Sequence, residues 1–262
     1  MIKKIKQPLN IIYLCTAEKG PSGGAKIIYD HSQQINRLNI KNLTSEVLHI
    51  KKKKIQKWNT SIKKIFNLSE KQYSGWTTND IDVYKNFKSK WFKNTIKVKN
   101  NFTFDKKKDF VIFPEIFAHF AKKLCINKQI KYAIFALNGY SLNATNDYKT
   151  LDESYKKARF ILSVSNDINK CLKVNFPEIK KKILSSSLSV NYKIFSHKVK
   201  KKNMITFMPR KLNKHSELVL FFIRKHLPKN WKIKSIHRMN EKEVFKNLKM
   251  SKIFLSFTQF EG

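Results

Sequence analysis

Residues 10–38 decide the fold: Asn-Ile-Ile-Tyr-Leu-Cys-Thr (10–16), then Gly-Pro-Ser-Gly-Gly-Ala (20–25), then Lys26 to Leu38. The first stretch is a short, continuous apolar run, as expected of a parallel strand covered on both faces. The glycine-rich stretch supplies a turn, with Ser22 placed to cap a helix. Within 26–38, Ile27, Ile28, His31, Ile35 and Leu38 recur at helical spacing. A second apolar stretch at Glu46 to Ile50 completes a strand–turn–helix–strand unit.

Outward from this unit, similar short apolar runs recur at Phe110–Phe113, Tyr132–Leu137, Phe160–Val164 and, more weakly, Lys182–Ser187. A helix is expected from about Ile116 to Cys125. Another follows Ser165-Asn-Asp, runs towards Asn175 and is ended by Pro177. Residues 51–108 mix lysine runs with isolated aromatics and show no clean period, so they read as short helices and loops between strands. Strands alternating with helices argue an α/β doubly wound parallel sheet.

A polar, lysine-rich linker lies around 196–202, and the alternation then restarts. Strands are expected at Met204–Met208, Trp231–Ile236 and Ile253–Phe257, with helices at Ser216–Leu227 and Glu241–Leu248. The expected organisation is therefore two Rossmann-like units, 1–197 and 203–262, the second of them incomplete.

Composition narrows the class. The chain has 262 residues, 41% hydrophobic and 13% aromatic, enough for a sizeable core. Cys15, Cys125 and Cys171 form neither a CxxC pair nor a metal-ligand spacing, which points to a reducing compartment. The run Ile11–Cys15 is too short for a signal or membrane segment. These features lead us to expect a cytoplasmic protein. The formal net charge of +37 has two readings. Lys, Ile, Asn and Phe all have AT-rich codons, so genome composition accounts for much lysine. Alternatively the charge forms a field for an anionic membrane surface or a nucleic acid. Only five of the 55 basic residues are arginine, which counts against nucleic acid.

Three places at strand ends could carry chemistry. In the Gly20–Ala25 turn, Gly23 and Gly24 let backbone amides at a helix start approach an anionic group. In Met208-Pro-Arg-Lys-Leu-Asn-Lys214, Arg210 can fork two phosphate oxygens, with Lys211 and Lys214 as point charges. Glu261, within Thr258-Gln-Phe-Glu-Gly262, could bind a ribose hydroxyl. Glu115, Asn138 and Asn166 are further polar residues at strand ends. The seven histidines show no HxxxH or HxH pair, so no protein-bound metal is expected. His31 and His119 read as surface or core-edge residues.

Taken in order, these pieces resemble the glycosyltransferase family 4-like group, whose GT-B fold sets two Rossmann-like domains around a cleft. Gly23-Gly24-Ala25 with Lys-Ile-Ile-Tyr-Asp looks like that family's early cleft-facing loop. Val164-Ser165-Asn166-Asp167 resembles the strand-to-helix step near the end of its first domain. Leu188-Ser-Val-Asn-Tyr-Lys-Ile-Phe195 is a looser match to the segment that follows there. Phe207-Met-Pro-Arg-Lys is similar to the phosphate grip, and Ser256–Gly262 to the start of the E-G-F-G-x4-E element. The resemblance implies transfer of a sugar from a nucleoside diphosphate sugar to a hydroxyl acceptor, a glycan or a lipid-linked precursor of a surface polysaccharide. It further implies retention, no metal and no resident cofactor. The donor's phosphates would meet Gly23, Gly24, Arg210, Lys211 and Lys214, and its ribose Glu261. The acceptor would lie near Asn138 and Asn166, with Glu115 orienting its hydroxyl as the catalytic candidate. An enzyme cut within that element is expected to be inactive alone, and a peripheral contact with the inner membrane face would suit its charge. The rivals are a non-catalytic basic protein that binds nucleic acid or membrane, and a sugar-nucleotide epimerase.

Overall fold

The computed structural model describes residues 5–17, 20, 22–53, 77–89, 96–143, 145, 147–188, 199–209, 213–237 and 239–257. The chain divides into two compact units, one ending at Ser187 and the other beginning at Leu188.

The first unit is built on strands β1 (Leu9–Thr16), β2 (Leu43–Lys52), β3 (Ile81–Val83), β4 (Val98–Lys99), β5 (Asp109–Pro114), β6 (Lys131–Ala136), β7 (Ile161–Ser163) and β8 (Ile183–Ser185). Its helices are α1 (Gly23–Arg37), α2 (Ala121–Leu124), α3 (Tyr148–Lys157) and α4 (Asn166–Asn175). The eight-stranded sheet runs β3-β2-β1-β5-β6-β7-β8, with β4 also paired to β2. All pairings are parallel except that of β3 with β2. The expected α/β parallel architecture is what the chain adopts, with one antiparallel edge strand added.

The apolar runs are continuous because alternate residues enter different cores. Tyr13, Cys15, Val47, Ile112 and Phe135 face α1, where Ala25, Ile28 and Tyr29 close over them. Ile12, Leu14, Leu48, Val111, Phe113 and Ile134 face the opposite layer, with Leu151 and Tyr155 of α3 and Ile168 and Leu172 of α4. A strand with both faces covered has no polar side to show. Helices on opposite faces make the sheet doubly wound, and the winding reverses between β1 and β5.

Two sequence expectations change here. The helix expected at Ile116–Cys125 is a 3-10 turn over Glu115–Phe120 followed by the single-turn α2. In a 3-10 turn, positions i and i+3 eclipse, which suits Phe117 and Phe120, stacked at 5.4 Å and both fully buried. The second change is α3, whose buried face includes Ser154 and so shows no apolar period in the sequence. It starts at the cap Asp147, whose carboxylate accepts from the Thr150 amide at 3.0 Å.

The second unit contains β9 (Lys202–Phe207), α5 (Asn213–His226), β10 (Lys232–Ser235), α6 (Glu241–Met250) and β11 (Ser251–Leu255). Its parallel sheet has the order β10-β9-β11, with Ile205 and Phe207 of the central strand buried. A capping box starts α6: Asn240 Oδ1 accepts from the Glu243 amide at 3.1 Å, and Glu243 Oε2 accepts from the Asn240 amide at 2.9 Å.

Candidate functional site

In an open α/β sheet, ligands bind beyond the carboxyl ends of the strands, where the winding reverses. In the first unit that is the crevice between β1 and β5. After β1 the chain passes Gly20 and enters α1, whose N-cap Ser22 accepts from the Ala25 amide at 3.4 Å. The first turn of α1 has no acidic residue, so its positive end is not offset there. Among the described residues, a methyl group built on Gly23 would meet nothing beyond the adjoining backbone within 4 Å, while one on Gly24 would touch Leu137 Cδ1 at 3.4 Å. Gly23 thus faces open space, and Gly24 packs against the turn that follows β6.

Glu115 follows β5 on the other side of the reversal. The residue is 4% exposed, and its Oε2 accepts from the Leu137 amide at 2.9 Å. Burial pushes this carboxyl up to about 7, against the opposing pull of the amides of Leu137, Glu115 itself and Asn138. Leu137 therefore touches both sides of the crevice: its side chain meets Gly24 and its amide holds Glu115. Strand order, invisible in the sequence, brings these separated residues together.

Asn138 continues the same turn. Its side chain accepts from the Tyr140 amide at 2.9 Å and caps a short 3-10 helix, Gly139–Ser141. Gly139 lies so close to α4 that an added methyl would stand 2.8 Å from Cys171 Sγ. Ser165 caps α4 by accepting from the Ile168 amide at 3.2 Å, and Asn166 and Asp167 are exposed on its first turn. The structure thus places Gly23, Gly24, Glu115, Asn138 and Asn166 along the carboxyl ends of β1, β5, β6 and β7. Arg210, Lys211 and Glu261 lie outside the described residues, as does the Lys214 side chain on α5.

Three histidines of the first unit lie in or at the edge of its core. His31 stacks on Phe135 at 5.0 Å, and burial lowers its pKa. His119 is 8% exposed, with its ring 4.1 Å from that of Phe120. His49, opposite Cys15 in the sheet, is fully buried with Nε2 2.7 Å from the Tyr29 hydroxyl. Burial pulls the His49 imidazole down to about 4. Nothing in the sequence marks this pair, whose members lie 20 residues apart.

A pocket lies at the opposite, amino end of β1 and β2, lined by Pro8, Asn10, Thr44, Glu46, Lys97 and Lys108 among others. There Asn10 Nδ2 donates to Glu46 at 2.9 Å and to Asp109 at 3.2 Å, joining the starts of three strands. That network ties strands together at the end of the sheet opposite the carboxyl ends, where open α/β sheets bind their ligands. Among the described residues, no group of three or more His, Cys, Asp or Glu could hold a metal, and no helix is long and apolar enough to cross a membrane.

No protein-family model matches the chain, and no curated protein matches it. Among solved structures, the chain is similar to accessory secretory protein 1, 2 and 3 of Streptococcus pneumoniae, at 14% identity and a TM-score of 0.37. That match covers 59% of this chain and 37% of the other. It is also similar to the glycosylation-associated protein complex (Gap123) of Streptococcus agalactiae, at 19% identity and a TM-score of 0.28, over 58% of this chain and 34% of that one. The chain spans about a third of the length of these solved chains.

Proposed function

We propose that the chain carries the acceptor side and part of the donor grip of a nucleoside diphosphate sugar-dependent glycosyltransferase of GT-B type. The observation that supports this most is the β1/β5 crevice, where Gly23, open at a helix N-terminus, and Gly24, packed on Leu137, meet the loop braced by Glu115. In this reading a hydroxyl acceptor, glycan or lipid-linked, lies along the turns after β5, β6 and β7. Glu115 acts mainly as a positioning residue, because its carboxylate is committed to the amide of the loop it holds. Arg210, Lys211 and Lys214 neutralise the departing diphosphate, and Glu261 takes the ribose. The reaction proceeds with retention and without a metal, on the cytoplasmic side of the membrane.

The test is calorimetric titration with nucleoside diphosphate sugars of differing base and sugar. Wild type binds at least one, and Arg210→Ala weakens that binding by ~1.5–3 kcal/mol, the worth of a charge-assisted hydrogen bond. Unchanged binding in the variant removes Arg210 from the site. No binding of any sugar nucleotide, with salt-sensitive binding of nucleic acid instead, supports the basic binding protein.

A further inference from the structure

We propose that Tyr140, held by Asp167, is a stacking platform for a pyranose ring of the acceptor; this rests on the acceptor-side reading above. Tyr140 is 53% exposed and belongs to the turn after β6, at the carboxyl end of the sheet. Single exposed aromatics are common on protein surfaces. This one differs in being fixed from three directions. Its amide donates to Asn138 Oδ1 at 2.9 Å. The preceding Gly139 is wedged against α4, within reach of Cys171 and Ile168. The Asp167 carboxylate beside its hydroxyl raises the phenol pKa, first by its charge and also by a side-chain hydrogen bond, and so keeps the proton on the oxygen. The ring is therefore held out towards solvent rather than folded down.

A sugar ring suits this arrangement chemically. One face of a pyranose presents polarised C–H groups, which pack on the electron-rich face of an aromatic ring. Its hydroxyls need donors and acceptors at the rim, and Asn166 and Asp167 stand exposed on the adjacent first turn of α4. Neutral sugars gain little from a lysine field, so a braced aromatic beside an amide and a carboxylate is the chemistry that selects them.

The experiment is saturation-transfer NMR on the whole chain with methyl glucosides, methyl N-acetylglucosaminides and maltose, and with uridine as the base-stacking control. Wild type is expected to transfer saturation to the C–H face of at least one sugar. Tyr140→Ala should weaken that binding by about tenfold, and Tyr140→Phe, which keeps the ring, should retain most of it. Melting curves confirm that both variants are folded. The proposal is overturned if no sugar receives saturation, if Tyr140→Ala binds as wild type does, or if only uridine depends on Tyr140. Titration with sugar nucleotides separates the two readings. Tyr140-dependent sugar binding without sugar-nucleotide binding keeps the platform and removes the transferase. Sugar-nucleotide binding with no Tyr140 dependence for sugars removes the platform alone.

Discussion

The Glu115 carboxylate accepts the Leu137 amide at 2.9 Å, fastening the end of β5 to the turn that leaves β6. The bond joins residues 22 apart in sequence, and it is made by a buried acid whose pKa is raised to about 7.

This sets a pH dependence of stability. The native pKa lies above the ordinary value of 4.5, so the folded chain holds the proton longer than the unfolded one. The associated stability is fully present below about pH 4.5 and is lost as pH rises through about 7. Glu115→Gln keeps an acceptor for the Leu137 amide and has no proton to lose. Its stability relative to wild type should rise by about 3 kcal/mol between pH 4 and pH 8. Urea melts at both pH values check this, and a difference independent of pH would place the carboxylate in a solvated setting.

His49 works in the opposite direction. Its native pKa of about 4 lies below the ordinary 6.5, so the unfolded chain takes up the proton first. Stability is retained above about pH 6.5 and falls as pH drops towards 4. His49→Phe, beside Phe87, gives up the bond to the Tyr29 hydroxyl but removes the acid sensitivity. Between pH 7 and pH 4 the wild type should lose about 3 kcal/mol more than the variant. Parallel slopes in denaturant titrations would contradict a buried neutral imidazole.

Gly139 permits the close approach to α4. Gly139→Ala would place a methyl 2.8 Å from Cys171 Sγ and 3.1 Å from its Cβ, an overpacking worth about 1–3 kcal/mol. Cys171→Ala removes the sulfur, so the double variant should recover part of that loss. A double-mutant cycle measures the coupling, and strict additivity would mean that the two positions do not meet.

Gly23 separates folding from binding. Among the described residues, nothing beyond the adjoining backbone lies within 4 Å of an added methyl, so Gly23→Ala should keep or raise stability by up to about 1 kcal/mol. If phosphate oxygens approach the amides there, the same change should weaken sugar-nucleotide binding. Equal affinity by calorimetry would show that the glycine serves only the turn.

Much of this fold could be read from residue types. Continuous apolar runs located β1, β5, β6 and β7, and Ser22 and Ser165 marked two helix starts that the structure keeps. What escaped has physical reasons. The strands β3 and β4 contain three and two residues, too few to show a period. On α3 the buried stripe includes Ser154 beside Leu151 and Tyr155, which breaks the apolar signal. For the candidate site, Gly23, Gly24, Glu115, Asn138 and Asn166 stood out as polar or small residues after strands. Their neighbours could not be known, because contact between Gly24 and Leu137 depends on sheet order. Tyr140 gave no signal, since only burial and hydrogen bonding separate a braced ring from a loose one.

The central position of β1 also bears on how the chain is made. Asn10 and Asp109, partners across β1 and β5, lie 99 residues apart. At synthesis rates of about 5–20 residues per second, the first strand waits roughly 5–20 s for that neighbour. During that wait it can pair with β2 and pack under α1, but its other edge and the far face of Ile12 and Leu14 have no cover. Nascent chains should therefore recruit a holding chaperone until residue 109 has left the ribosome, and release it when β5 docks.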